Sequence, residues 1–377
     1  MDALLTDTLA SRGVAITTTY VPGINPLKLD ALHASAQIFG LFAHADRAAP
    51  RGPPSLRHLP VSYGGFLREL EAGPAFDVAV VQVSPPDRQG MCSLGPAVEF
   101  SLAVLARARR RIAVINAGAP ALRNSCAVPV DRFSELVQGD AALPDYVIGG
   151  ADPVASAIAR HVQEFVPDDA TVQIGIGKIP AAVLAALGDR RGLKFHSGML
   201  TDGLIRLQQQ GALAANHQHT ACALLGSQVF YQWAAEQQCI RIRGCEFTHA
   251  PSRLAALERF IAINSALEVD LFGQCNAEFL AGRAISGPGG APDFAAAARR
   301  CASGVSIVAL PASSHGVSRI RARLDVPATL ARTDVDVVIT EHGVADLRGA
   351  SVQDRAERLI SVAMPAARSD LASAWKG

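Results

Sequence analysis

The chain reads as an α/β protein whose sheets are largely parallel, and three observations predict this. Apolar runs of strand length recur along its 377 residues. Ala/Leu-rich stretches with helical spacing separate them, and strands that alternate with helices build parallel sheets covered on both faces. The composition, 49% hydrophobic and 18% charged, suits a chain long enough for two domains with a sizeable core in each.

The elements follow in order. The Pro/Gly-rich "RAAPRGPPSLRHLP" (47–60) reads as an ordered surface loop or connection. "FDVAVVQVS" (76–84) is a strand stopped by Pro85-Pro86, since proline cannot donate to a ladder. "SPPDRQGMCSLG" (84–95) then has Pro, Asp and Gly where a turn wants them. The helix-like "AVEFSLAVLARARR" leads into the strand "RIAVINAG" (111–118). Turn-rich "GDAALPDYVIGGADP" marks a boundary near 140–166, ahead of an amphipathic helix over roughly 152–165. The expected division is therefore 1–150 and 151–377. In the second part "TVQIGIG" (171–177), "FIAINSALEVDL", "VSIVALP" (305–311) and "VDVVITEHG" (335–343) read as strands, and "CNAEFLAGRA" as helix.

Composition removes several classes of function. A formal net charge of +1 offers no attraction to nucleic acid or anionic membrane, and 5% aromatics leaves little for base stacking. No run of eighteen apolar residues is uninterrupted, and "MDALLTDTLASRG" lacks the basic start of a signal peptide. Seven scattered cysteines without C-x-x-C suggest reduced thiols in a cytoplasmic protein. His217 and His219 in "NHQHT" read as a polar turn, because no Cys or acid completes a ligand set, and no metal is expected.

The candidate chemistry lies in loops beyond strand ends, where α/β sheets usually place it. "GIGKIP" (175–180) joins a strand to a helix whose free N–H groups could meet an anion, although a purely structural turn would look the same. Pro180 stands where a dinucleotide fingerprint wants its third glycine, which disfavours a nicotinamide site. In "SGPGGAPDF" (286–294) Gly287, Gly289 and Gly290 could present successive N–H groups to an oxyanion, or form an ordinary loop. "HSGMLTDG" (196–203) ends a short strand. Glu341 and His342 end another, but neighbours on a strand face opposite ways, so His342 reads as a packing or hydrogen-bonding residue. The strangest segment is "INSALEVDLFGQCN" (263–276), an apolar run that carries Glu268 and Asp270 where an unpaired carboxylate would be costly.

Six of these strings, "VSPPDRQGMCSLG", "QIGIGKIPAAVLAAL", "HSGMLTDG", "INSALEVDLFGQCNAE", "SGPGGAPDF" and "VVITEHGVADLRG", occur in an order that resembles the acetyl-CoA hydrolase/transferase family. The likeness is to class I CoA-transferases of the 4-hydroxybutyrate and acetate type, and it covers nearly everything from about residue 70 onward. It implies two related CoA-transferase α/β domains with the active site between them, usually in a homodimer. The glutamate of "EVDL", here Glu268, becomes the nucleophile of a ping-pong exchange through a glutamyl-CoA thioester. Acyl-CoA and a short carboxylic acid become the substrates, with no permanently bound cofactor. The resemblance also implies oxyanion donors at Ile176 and at Gly289 or Gly290. CoA would lie along Gly175, Gly177, Lys178, Gly287, Gly289 and Gly290. Gln274, Asn276, Glu341 and Gly198 are candidates for the substrate pocket, while Asp270 reads as structural.

Three departures accompany the resemblance. Family members begin with a further glycine-rich segment ahead of the stretch matched by "LLTDTLASRGVAITTTYVPGINP", so the first domain is expected to be truncated at its start. Gly198 stands where the family usually has glutamate, and Pro292 lies where a glutamine is often near. Both changes bear on substrate choice and on the balance between transfer and hydrolysis. The alternatives are therefore a thioester hydrolase using the same Glu268, or an inactive or partner-dependent subunit.

Overall fold

The computed structural model describes residues 8–19, 21, 24, 31–42, 55–150 and 152–376. Residues 47–54 of the expected surface loop lie outside that set, and its last part forms a strand instead. Strands β1 (Ala15–Thr18), β2 (Gln37–Gly40) and β3 (Ser55–His58) make a small parallel sheet. Helix α1 (Tyr63–Ala72) follows, capped by the Ser62 hydroxyl, which accepts from Gly65 N–H.

A second parallel sheet has the order β4 (Phe76–Val83), β5 (Ala108–Asn116), β6 (Glu135–Gly139), with helix α2 (Ser101–Arg107) as the first crossover. The expected helix is thus cut short at Arg107, because Ala108–Arg110 pair with β4 and continue the strand. This sheet departs from the rule that parallel strands are covered twice. Val78, Val80 and Val137 remain exposed on one face, while Ala79, Val81 and Val83 face the core.

Helix α3 (Pro153–Gln163) starts on Asp152, whose carboxylate accepts from Val154 and Ala155 N–H, with proline in the first turn where no helical bond is lost. The largest sheet then forms from β7 (Thr171–Ile174), β8 (Lys194–Phe195) and β9 (Phe260–Ser265), with helix α4 (Lys178–Ala186) between the first two. Two short strands, β10 (Glu268–Asp270) and β11 (Cys275–Asn276), and helix α5 (Ala291–Arg300) precede its next member, β12 (Val305–Ala309). After β13 (Ile320–Arg321), strands β14 (Val337–Thr340) and β15 (Gly343–Asp346) complete it in the order β8-β7-β9-β12-β14-β15. Its strands are parallel except β15, which returns antiparallel from β14. Every residue of β7, β12 and β14 is buried, polar Thr171, Gln173, Ser306 and Thr340 included, as strands covered on both faces require. Each fully buried Val or Ile there stabilises the fold by about 1.5–3 kcal/mol.

The sequence misread "CNAEFLAGRA". It contains β11 and then an antiparallel hairpin, Phe279–Leu280 with Arg283–Ala284, rather than a helix. Two local effects override helical propensity. The Asn276 side-chain oxygen accepts from Glu278 and Phe279 N–H, and Ala281 and Gly282 both take positive φ (48° and 74°), as a tight hairpin turn requires. Among the described residues, no helix is long and apolar enough to cross a membrane.

Candidate active site

A cavity of about 480 Å³ opens at the carboxyl ends of β7, β9 and β12. The "GIG" turn forms one wall. Gly175 N–H still reaches Ile263 C=O at 3.3 Å, and Gly177 then adopts φ +114°, a conformation that favours glycine, before α4 begins at Lys178. Ile176, Gly177 and Lys178 line the cavity, and Ser265, Ala266 and Leu267 face them as the chain leaves β9. Lys178 Nζ stands 3.7 Å from the carboxylate of Asp152. Pro180 falls in the first turn of α4, where a missing N–H costs little.

Ser265 ends β9, and after Ala266–Leu267 the chain enters a different sheet at Glu268. This break resolves the puzzle of acids in an apolar run. Strand β10 pairs antiparallel with β11 and parallel with β13, setting Glu268 opposite Asn276. Asn276 is fully buried; its Nδ2 donates to Glu268 Oε2 at 3.1 Å and to Phe279 C=O at 2.8 Å. With its Oδ1 accepting two further N–H groups, the amide has one orientation available. Arg321 Nε lies 3.5 Å from Glu268 Oε1. The Glu268 side chain keeps 26% of its surface exposed, so this pair contributes at most about 1 kcal/mol.

Asp270 lies two residues further on and is buried. Its carboxylate accepts from the N–H of Phe272 and Gln274 (both 3.0 Å), from Gln274 Nε2 (2.8 Å) and from Leu324 N–H (3.4 Å). Gln274 is therefore committed to Asp270, whereas Asn276 is turned to Glu268. The segment after Asn276 is a shared wall. Ala277 lines the first cavity, and Glu278 and Phe279 line a second of about 490 Å³ bounded by Pro288 and Pro292. Buried Glu278 accepts from Thr329 Oγ1 at 2.8 Å.

Sequence reasoning missed the arginines. Arg319 lines the first cavity between two acids; burial draws its guanidinium below its ordinary value, while Glu268 and Glu341 act in the opposite sense. Glu341 is held by Ala312 N–H at 2.8 Å. The structure thus brings Glu268, Arg319 and Glu341 together. "SRIRAR" contains no motif, and only the β13 pairing turns its arginines toward the acid.

The "SGPGG" loop is clamped against the first part of the chain. A Cβ on Gly287 would stand 1.9 Å from Leu41 C=O, so only glycine fits. Gly289 takes φ +58° and its C=O accepts from Tyr63 N–H at 3.0 Å. Asp293 then accepts from Ser62 Oγ (2.8 Å) and Gly64 N–H (3.0 Å), closing the start of α5 onto the start of α1. Gly290 and Gly198 both approach the ring of Phe294, at 3.0 and 3.7 Å from where their Cβ atoms would be. His217 and His219 sit with ring centroids 5.4 Å apart; burial, then the neighbouring His217, holds His219 down at about 4. The grouping of possible metal ligands among the described residues lies elsewhere, at Cys222, Cys245 and His249.

Comparison with known proteins fits this arrangement. Residues 55–157 match the acetyl-CoA hydrolase/transferase N-terminal domain and residues 226–375 the corresponding C-terminal domain. The 4-hydroxybutyrate coenzyme A transferase of Clostridium kluyveri is 32% identical over 311 residues, covering 80% of this chain and 72% of that protein. The succinyl-CoA:cyclohexane-1-carboxylate CoA transferase of Geobacter metallireducens is 31% identical over 79% of this chain and 70% of its own. More distant relatives include an acetyl-CoA hydrolase of Eremothecium gossypii, 25% identical over 80% of this chain and 65% of its own. The crystal structure of RipA from Yersinia pestis superposes with a TM-score of 0.88 at 26% identity, over 100% of this chain and 96% of that one. The chain belongs to the acetyl-CoA hydrolase/transferase family.

Proposed function

We propose that the protein exchanges CoA between a short acyl-CoA and a carboxylic acid through a glutamyl-CoA thioester on Glu268. The observation that carries this reading is the setting of Glu268. It directly follows Leu267, which lines the cavity at the carboxyl ends of the parallel strands, and its half-buried carboxylate is oriented by a locked amide and a guanidinium. Relatives named as CoA-transferases support it.

In the proposed cycle a Glu268 oxygen attacks the thioester carbonyl, the C–S bond breaks, and CoA leaves as thiolate. The thiolate then attacks the glutamyl carbonyl of the resulting anhydride, expelling the first acid as its carboxylate. The second acid repeats these steps in reverse and leaves as its CoA ester. No proton is consumed, and bond types are conserved, so no ATP is needed. Each step passes through an oxyanion, for which we assign Ile176 N–H and an N–H of Gly289 or Gly290 as donors. One such donor is worth about 2.7–4 kcal/mol. Gly175, Gly177, Lys178 and Gly287 would border CoA, which enters as substrate rather than as a resident group.

The test is incubation of the protein with acetyl-CoA and no acceptor, followed by intact-mass analysis with and without borohydride or hydroxylamine. A CoA adduct mapping to Glu268 supports the reading. Full transferase activity in Glu268→Ala would falsify it. Hydrolysis by the same glutamate is the second reading, favoured by the relatives named acetyl-CoA hydrolases. It predicts steady CoA release in the same incubation with no adduct accumulating.

A further inference from the structure

Away from Glu268, the fold gathers a set of donors that no step above uses. Cys222 follows a short strand, while Cys245 and His249 open and close a four-residue helix and its cap. The two sulfurs and a ring nitrogen of His249 lie within 4.8 Å of one another, and all three residues are buried. Buried free thiols usually act as small apolar groups. Two further observations set this cluster apart. His249 Nδ1 is occupied by Thr248 Oγ1 at 2.9 Å, but its buried Nε2 has no hydrogen-bond partner. Leaving such a nitrogen unpaired costs about 1–3 kcal/mol.

The second observation is Glu99. Its N–H bonds Cys222 C=O (3.3 Å) and its C=O accepts from Cys245 N–H (2.7 Å), so its backbone is stitched between the two cysteines. It holds φ +41°, a left-handed conformation that costs a non-glycine residue about 1–2 kcal/mol. Strain of this kind is retained where the surroundings demand it. The Glu99 carboxylate accepts from Tyr63 OH at 3.3 Å, and burial, then Cys222 and Glu99, push the Cys245 thiol well above its ordinary value. The cluster is thus crowded and dry.

We propose that Cys222, Cys245 and His249 bind one thiophilic divalent cation of the zinc type. Two thiolates and an imidazole are ligands that such ions accept, and they leave a fourth position open. Bonds of about 2.0–2.3 Å give a tetrahedron with edges of roughly 3.3–3.8 Å, so the present spacing needs only a small contraction. Binding would displace the two thiol protons to solvent, and no electron transfer is involved. The site shares no ligand with Glu268. It does abut the acyl side: Cys222 Sγ meets Gly198 C=O at 3.0 Å, and Gly290 leaves room for His249, whose Nε2 would lie 2.5 Å from any Cβ there.

The test is a cobalt titration of the full chain after chelator dialysis under reductant. The expected result saturates at one equivalent, with a thiolate-to-cobalt charge-transfer band and the visible bands of a tetrahedral ion, all displaced by zinc. Cys245→Ser should lose about half the charge-transfer intensity and bind at least tenfold more weakly. If that variant does not fold, His249→Gln gives the second reading, with the charge transfer kept and affinity reduced. Cys301→Ser, outside the cluster, should match the parent. The proposal is overturned if no charge-transfer band forms, if the band survives undiminished in folded Cys245→Ser, or if zinc fails to raise the thermal midpoint of the parent. It is also overturned if Cys222 and Cys245 emerge as a disulfide that no reductant opens to cobalt.

Discussion

Two acids two residues apart, Glu268 and Asp270, should fail in opposite ways when neutralised. In Asp270→Asn the retained oxygen can keep Phe272 and Gln274 N–H, but the new amide nitrogen faces Gln274 Nε2 and Leu324 N–H, donor against donor. Two hydrogen bonds to a charged acceptor are at stake, each worth about 1.5–3 kcal/mol. A flip of the Gln274 amide can recover one of them, leaving a net loss of about 1.5–3 kcal/mol. In Glu268→Gln the amide oxygen still accepts from Asn276 Nδ2, and the partly exposed Arg321 pair is worth at most about 1 kcal/mol, so stability barely moves. Activity should show the reverse pattern. Glu268→Gln falls by roughly a thousandfold or more, as when a covalent nucleophile is removed, while Asp270→Asn assayed well below its melting temperature stays within about tenfold of the parent. Thermal unfolding by circular dichroism and a CoA-exchange assay read the two effects separately. If Asp270→Asn kept the parental midpoint yet lost activity as deeply as Glu268→Gln, the assignment of Asp270 to structure would be wrong.

Three other expectations follow from the same geometry. Arg319→Ala should lower kcat/KM for acyl-CoA by about 10–100-fold, the worth of one charge-assisted contact, with Arg319→Lys recovering part; equal kcat/KM in all three would remove Arg319 from the site. Gly287→Ala pushes a methyl against Leu41 C=O and should cost about 1–3 kcal/mol, whereas Gly175→Ala meets nothing within 4 Å and should leave the thermal midpoint alone; the opposite ranking would sink the packing argument. His219, held at about 4 by burial against 6.5 in the unfolded chain, binds its proton less readily when folded, so the folded state loses stability as pH falls from 6.5 toward 4. The loss is about 3 kcal/mol, and His219→Gln, which keeps an acceptor for Phe195 N–H, should flatten that slope of thermal midpoint against pH; an unchanged slope would assign the acid sensitivity to other groups.

The sequence by itself determined the fold class, because strands buried on both faces are rich in Val and Ile, as β7, β12 and β14 are despite Gln173, Ser306 and two threonines. It also flagged Glu268 and Asp270, since an acid in such a run is costly enough to demand a reason, and the likeness of "EVDL" to the family's motif then chose between them. The places where it failed share a cause. "CNAEFLAGRA" has helical spacing, but the Asn276 side chain and a two-residue turn offer its backbone better partners. Gln274 and Asn276 look equivalent in the chain, and only the pairing of β10 with β11 turns one to Asp270 and the other to Glu268. Arg319 and Arg321 were unreadable because a charge near the chain's end meets a carboxylate more than fifty residues away only after β13 docks. Periodicity is local and survives in one dimension. The orientation of the Glu268 carboxylate depends on which side chains distant segments bring to it, and that was decided by the tertiary structure alone.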